Sequence, residues 1–75
     1  MNIYVVIEGE FHEASSVLGV FSSKVNALNQ VEMAKKNYFI RDAKWVKREN
    51  DMWVNGIDYI TIVVYELDEY DAKVH

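Results

Sequence analysis

The sequence contains no cysteine and no proline among its 75 residues, and only three glycines. Without cysteine, the chain can form neither a disulfide nor a thiolate metal site. Small secreted domains commonly depend on disulfides, so we expect this chain in a reducing cytoplasm. The glycines lie far apart and none opens a predicted helix, which argues against a phosphate-binding glycine loop.

Long apolar runs are also missing. The run from Ile3 to Ile7 is too short for a signal-peptide core or a membrane span, and no basic segment precedes it. We therefore expect a soluble protein that does not associate with membranes.

Residues suited to catalysis or metal binding are scarce. The two histidines are His12 and His75. His12 lies in a polar stretch beside Glu13, without a positioned partner or the G-x-S-x-G turn that supports nucleophilic catalysis. Carboxylates occur in pairs such as Glu8 and Glu10, whereas Ca²⁺ or Mg²⁺ needs about six oxygen ligands. The sequence therefore predicts no enzyme activity, no cofactor and no metal site.

Apolar and aromatic side chains are abundant, at 51% and 13% of the residues. These fractions are far above the range of disordered chains, and the length allows one domain. We predict a single ordered domain over residues 1–67 and an acidic C-terminal tail over residues 68–75.

The apolar pattern predicts an α+β fold in the order ββαββ. Runs of β-branched and aromatic residues indicate strands at 3–7, 16–21 and 57–67, and a rougher alternation indicates another within 39–48. The short first loop favours antiparallel pairing, and Gly19 suggests either a bulge in the second strand or a close approach by another element. We expect a three- to four-stranded antiparallel sheet.

One helix is predicted over residues 24–37, packed on one face of the sheet. Ser22 and Ser23 precede it, and a serine hydroxyl is a good N-cap, while Asn37 is an acceptable stop. The residues expected to be buried between this helix and the sheet are Val5, Ile7, Val20, Leu28, Val31, Ile60, Ile62 and Val64.

The segment 49–56 offers two turns. Asn55-Gly56 favours a tight type I′ hairpin, whereas Asn50-Asp51 could open a longer loop. A tight Asn-Gly turn would set Asn50 and Asp51 opposite apolar positions of the last strand. We therefore expect the third strand to end near Glu49 or to carry a bulge.

The net charge of −4 is unevenly distributed, because residues 35–48 hold six cations against one aspartate. An indole between cations can stack on a base while the cations neutralise phosphates. The alternative nucleic-acid-binding set is Arg41, Lys44, Trp45, Lys47 and Arg48. Acidic residues could instead imitate a row of phosphates; that alternative set is Glu8, Glu10, Glu13, Glu66, Asp68, Glu69 and Asp71.

Aromatic side chains outnumber those that one helix can cover, so we expect some of them at a protein–protein interface. The residues predicted to bind protein are Trp53, Tyr59, Phe11 and Tyr70. A symmetric homodimer is the commonest way to bury such a surface, and we expect one here.

A resemblance to known proteins lies in the Tyr4-Val5-Val6 first strand and in residues 17–28, which read Val-Leu-Gly-Val-Phe-Ser-Ser-Lys followed by Ala27-Leu28. Through these residues, the chain resembles a diffuse group of small uncharacterised bacterial and phage proteins. The resemblance covers roughly residues 3–36 and, more loosely, 57–68. It implies a small ββαββ domain found among phage accessory genes, with no catalytic residues. Phage proteins of this size commonly bind a host enzyme or a defence complex.

These observations predict a non-enzymatic protein-binding module, in the specific form of a phage-encoded inhibitor of a host or bacterial defence protein. Nucleic-acid binding through the basic stretch, acidic mimicry of nucleic acid, and an undetected small-molecule-binding or enzymatic site stay open as alternatives.

The predicted core can be tested by truncation. Replacing Leu28 or Ile62 by alanine should lower the free energy of unfolding by about 2–5 kcal/mol, because each change removes buried methyl groups and leaves a cavity. Thermal melts measure the loss, and near-native stability of both variants would contradict this core assignment.

Overall fold

A computed structural model of the protein describes residues 1–36 and 44–66, and these residues form a five-stranded antiparallel sheet with one helix. The elements are β1 (Asn2–Glu10), β2 (Ser15–Phe21), α1 (Lys24–Lys36), β3 (Val46–Arg48), β4 (Met52–Asn55) and β5 (Asp58–Glu66). Their order across the sheet is β2-β1-β5-β4-β3, and every neighbouring pair is antiparallel. The predicted α+β class is confirmed.

The predicted order ββαββ is wrong by one strand, since the observed order is ββαβββ. The chain reverses between β3 and β4, where Asn50 and Asp51 adopt left-handed backbone angles, with φ of 60° and 53°. Asn and Asp tolerate this conformation better than other non-glycine residues. The third strand ends at Arg48, as predicted, and the turn that follows it creates the extra strand β4.

The second turn, between β4 and β5, lies one residue later than predicted. Asn55 pairs with Asp58, so Gly56 and Ile57 are the central residues. Gly56 has φ of +63°, a left-handed angle that favours glycine at the first central position of a two-residue hairpin. Asn37, residues 39–43 and the tail 68–75 lie outside the described residues.

The bulge suggested by Gly19 is confirmed in β2. Val6 pairs with Gly19 and Ile7 pairs with Val17, so Leu18 is an extra residue with no partner position in β1. A Cβ at Gly19 would lie 2.7 Å from the ring of Phe21. The missing side chain at Gly19 therefore leaves space for the Phe21 ring, which packs against the core.

The helix begins where the sequence predicts. The Ser23 side-chain oxygen accepts a hydrogen bond from the Asn26 N–H at 3.4 Å, and the Ser23 carbonyl accepts from the Ala27 N–H at 3.1 Å. Ser23 is therefore the N-cap of α1. Lys35 and Lys36 lie in the last turn, where cations interact favourably with the helix dipole. Among the described residues, no helix is long and apolar enough to cross a membrane.

The core lies between α1 and one face of the sheet. Its buried residues are Ala27, Val31 and Ala34 of the helix with Val6, Trp53, Ile60 and Ile62 of the sheet. The small alanines let the helix approach the strands closely. Val31, Ile60 and Ile62 were predicted correctly, and Leu28 is partly buried against this cluster.

The core prediction is wrong for Val20 and Val64, which are 59% and 49% exposed. Val20 pairs with Val5, and directly paired residues project on the same side of a sheet. That side is opposite the helix, and Ile7, which pairs with Val17, lies on it too. Val5, Ile7 and Val20 therefore do not belong to the helix–sheet core. Val64 shares the helix side but lies near the end of β5.

Two isoleucines close together in the chain make a matched test of this core: Ile57 in the β4–β5 turn and Ile60 in β5. Ile60→Ala should lower the free energy of unfolding by about 2–5 kcal/mol, because Ile60 is fully buried. Ile57→Ala should cost less than about 0.5 kcal/mol, because Ile57 is an exposed turn residue. Urea denaturation measures both, and equal losses would contradict the placement of the core.

An uncovered apolar face of the sheet

The sheet has a second face, opposite α1, that is almost entirely apolar. Val5 pairs with Val20 on one side and with Val63 on the other, which places these three side chains side by side. The strand register assigns the same face to a larger set, which we call the open face: Ile3, Val5, Ile7, Gly9, Ser15, Val17, Val20, Val46, Arg48, Met52, Val54, Tyr59, Thr61, Val63 and Tyr65. Apart from Gly9, Ser15, Arg48 and Thr61, each member is Val, Ile, Met or Tyr.

No element of the described residues packs on the open face. The helix contacts β1, β2 and β5 through the core on the other side of the sheet. Val17, Val20, Val46 and Tyr65 are consequently exposed, although their residue types are typical of strand interiors. The exposed members come from β2, β3 and β5, so the uncovered surface extends from one edge of the sheet to the other.

Two residues predicted to bind protein, Phe11 and Tyr59, lie together at one end of the open face. Their ring centroids are 5.0 Å apart with an interplanar angle of 37°. Tyr59 pairs with Gly9, and a Cβ at Gly9 would lie 3.0 Å from the tyrosine hydroxyl. Glycine at this position therefore leaves space for Tyr59 on the neighbouring strand, beside the exposed Phe11 ring.

Trp53, a third residue predicted to bind protein, does not lie on the open face. It belongs to β4, pairs with Ile60 on the helix side and is 7% exposed. The ammonium groups of Lys35 and Lys47 lie 5.9 and 5.6 Å from its ring centroid. Trp53 is therefore a core residue rather than part of the open face. Tyr70, the fourth predicted residue, lies outside the described residues.

The side chains of the predicted nucleic-acid-binding set do not all lie on one surface of the protein. Lys47 pairs with Trp53 on the helix side, whereas Arg48 pairs with Met52 on the open face. The Lys47 ammonium is 3.7 Å from the Asp51 carboxylate. Lys44 is exposed and Trp45 packs against the core, while Arg41 lies outside the described residues.

The acidic set is also divided. Glu8 and Glu10 lie towards one end of β1, whereas Glu66 pairs with Asn2 at the other end. Glu13 is exposed in the first loop, and Asp68, Glu69 and Asp71 lie outside the described residues. In the described ranges, no group of three or more acidic or histidine side chains could hold a metal ion.

An open groove of about 380 Å³ lies where the β3–β4 turn meets β5. The Asp51 carbonyl accepts hydrogen bonds from the Ile62 N–H at 3.0 Å and the Thr61 hydroxyl at 3.2 Å. The Asp51 carboxylate lies 3.2 Å from the Lys24 ammonium. These contacts tie the turn to the last strand and to the start of α1. The Asp51 carboxylate, the charged group that lines the groove, is therefore already paired with a side chain of the protein itself.

Comparisons with protein-family models, with curated proteins and with solved structures find no match to this chain. The resemblance to small bacterial and phage proteins stays a prediction. The function is therefore argued from the surface of the molecule.

The sequence interpretation missed the valines of the open face. Val20 was assigned to the core, and Val17 and Val46 were not selected. One signal was present: β1 and β5 are apolar at both alternating positions, as in Ile3–Ile7 and Ile60–Val64. A strand apolar on both sides is typical of a sheet covered on both faces, but one predicted helix can cover only one.

Trp53 and Tyr65 make a test of which aromatic residues are structural. Trp53→Ala should lower the free energy of unfolding by about 3–5 kcal/mol, because the buried indole leaves a large cavity. Tyr65→Ala should cost clearly less than Trp53→Ala, since Tyr65 is 54% exposed within its own chain and its removal leaves no cavity in the helix–sheet core. Guanidinium denaturation followed by circular dichroism measures both. A near-native Trp53→Ala variant would contradict the core role of this residue.

Proposed function

We propose that this protein is a non-enzymatic protein-binding module whose contact surface is the open face. The observation that carries the proposal is the exposure of Val17, Val20, Val46 and Tyr65 on one continuous apolar surface. Contiguous apolar patches larger than a few hundred Å² are rare on monomers and mark interaction sites.

The energetics favour a protein as the ligand of this surface. Burying apolar surface contributes about 25 cal/mol per Å², and it requires a partner that also offers apolar side chains over a broad, nearly flat area. Phosphate groups need cations, and Arg48 is the only charged member of the open face. A nucleic acid would therefore find little to bind there.

The specific form that we propose is inhibition of a host or bacterial defence protein. Its support is the scarcity of catalytic residue types in the sequence, together with the resemblance to small bacterial and phage proteins. An inhibitor of this kind acts by occupying a surface that its target needs, so it requires a contact area and no chemistry of its own.

Site-directed photo-crosslinking tests the proposed contact surface. Because the chain has no cysteine, Val20→Cys and Val25→Cys each create one unique labelling site for a benzophenone maleimide. Val20 lies on the open face and Val25 on the outer side of α1, with similar exposure of 59% and 66%. In a bacterial lysate, we expect protein adducts from position 20 and few from position 25.

The adducts should survive nuclease treatment and high salt, since a desolvated apolar interface responds weakly to ionic strength whereas phosphate contacts respond steeply. A second copy of the labelled chain counts as a protein adduct. If position 20 yields no more protein adducts than position 25, or yields only nucleic acid, the proposal is wrong.

A further inference from the structure

We infer that the partner of the open face is a second copy of this chain, packed face to face about a two-fold axis. The inference rests on the proposed function, namely that the open face binds protein. In the resulting dimer, the two sheets form a sandwich and each α1 helix lies on the outside.

The first argument is charge. In a two-fold dimer, the same surface patch meets itself, so a charged patch would bring like charges together. The open face has one charged side chain, Arg48, which lies in the edge strand β3. The aliphatic majority of the face is neutral and therefore compatible with a copy of itself.

The outer side of the molecule differs in this respect. The helix carries Lys24, Glu32 and Lys36, all exposed to solvent, and Lys35 pairs with Glu32 at 3.0 Å. Bringing two such surfaces together would desolvate charges without giving each an opposite partner. The helix side is therefore the surface that stays in water.

The second argument is area. The strands β1 and β5 have 9 residues each and β2 has 7. With about 3.3 Å per residue and about 4.8 Å between strands, the five strands cover roughly 500 Å² of sheet plane. Two copies would then bury about 1,000 Å² if both sheets were smooth planes, and the side chains that project from each plane increase this area. An area of about 1,000 Å² is the smallest expected of a biological interface.

The third argument is composition. Transient interfaces between different proteins are about as apolar as the rest of a protein surface, whereas homodimer interfaces are more apolar. Apart from Gly9, Ser15, Arg48 and Thr61, the open face consists of Val, Ile, Met and Tyr. This composition resembles the core of a homodimer interface.

The geometry of such a contact is well defined. Sheets that pack face to face lie about 10 Å apart, with their strands rotated by about 30°. The β-branched side chains of Val5, Val20 and Val63 would interdigitate with those of the partner copy. A heterologous target would have to compete with this self-association for the same side chains.

Three matched valine-to-lysine variants test the inference by sedimentation equilibrium in the micromolar range. Val20 and Val46 lie on the open face at opposite edges of the sheet, and Val25 lies on α1; their exposed fractions are 59%, 59% and 66%. We expect the wild type and Val25→Lys at twice the chain mass of 8.8 kDa. Val20→Lys and Val46→Lys should each sediment at the monomer mass.

Circular dichroism checks that each variant is folded. If a lysine variant unfolds, Val→Thr at the same position replaces it, since threonine keeps the β-branched shape but adds a hydroxyl to the interface. Dissociation by both open-face substitutions, with Val25→Lys intact as a dimer, supports the face-to-face arrangement.

Other results overturn it. Dissociation by Val20→Lys alone would indicate pairing through the β2 edge, and dissociation by Val25→Lys would indicate contact through the helix. A monomeric wild type would also overturn the inference. In that case, adducts of another protein at position 20 would leave the proposed function standing, whereas no protein adducts there would remove both.

Discussion

A single helix can cover only one side of a five-stranded sheet, and this limit determines the rest of the molecule. The 13 residues of α1 make a rod about 20 Å long and about 10 Å wide, which packs on β1, β2 and β5 over one face of the sheet. The contacts of Ala27, Val31 and Ala34 with the strands form the core. Nothing in the described residues repeats this arrangement on the other side. The valines of the open face are therefore exposed because of the topology, although their residue type is suited to burial.

The helix is positioned by contacts at both of its ends. At its N-terminus, Ser23 caps the first turn and Lys24 pairs with Asp51 of the β3–β4 turn. Towards its C-terminus, the Lys35 ammonium lies over the Trp53 ring. Exposed ion pairs contribute about 1 kcal/mol or less each, so their role is to set the direction of α1 rather than to supply most of the stability. The apolar cluster beneath the helix supplies that.

The proposed function rests on what the two faces offer. The helix side of the sheet is covered by α1. Lys24, Lys35 and Lys47 are paired with carboxylates there, and Glu8 and Glu66 lie at opposite ends of the sheet. The open face offers area, shape and little charge, which is what a protein partner needs and what a nucleic acid or a metal ion does not. The exposed valines would be removed from water if the proposed partner covered this surface.

The sequence by itself determined the local elements: the serine cap and the start of α1, the first hairpin with its bulge at Gly19, and the burial of Ile60 and Ile62. These depend on patterns within a few residues, such as helical spacing and an N-cap hydroxyl. Only the tertiary structure decided which face each strand residue joins. Because β1 and β5 are apolar at both alternating positions, their period of two does not distinguish inside from outside. The register with β2 and β4, and the side taken by α1, placed Val20 outside and Trp53 inside.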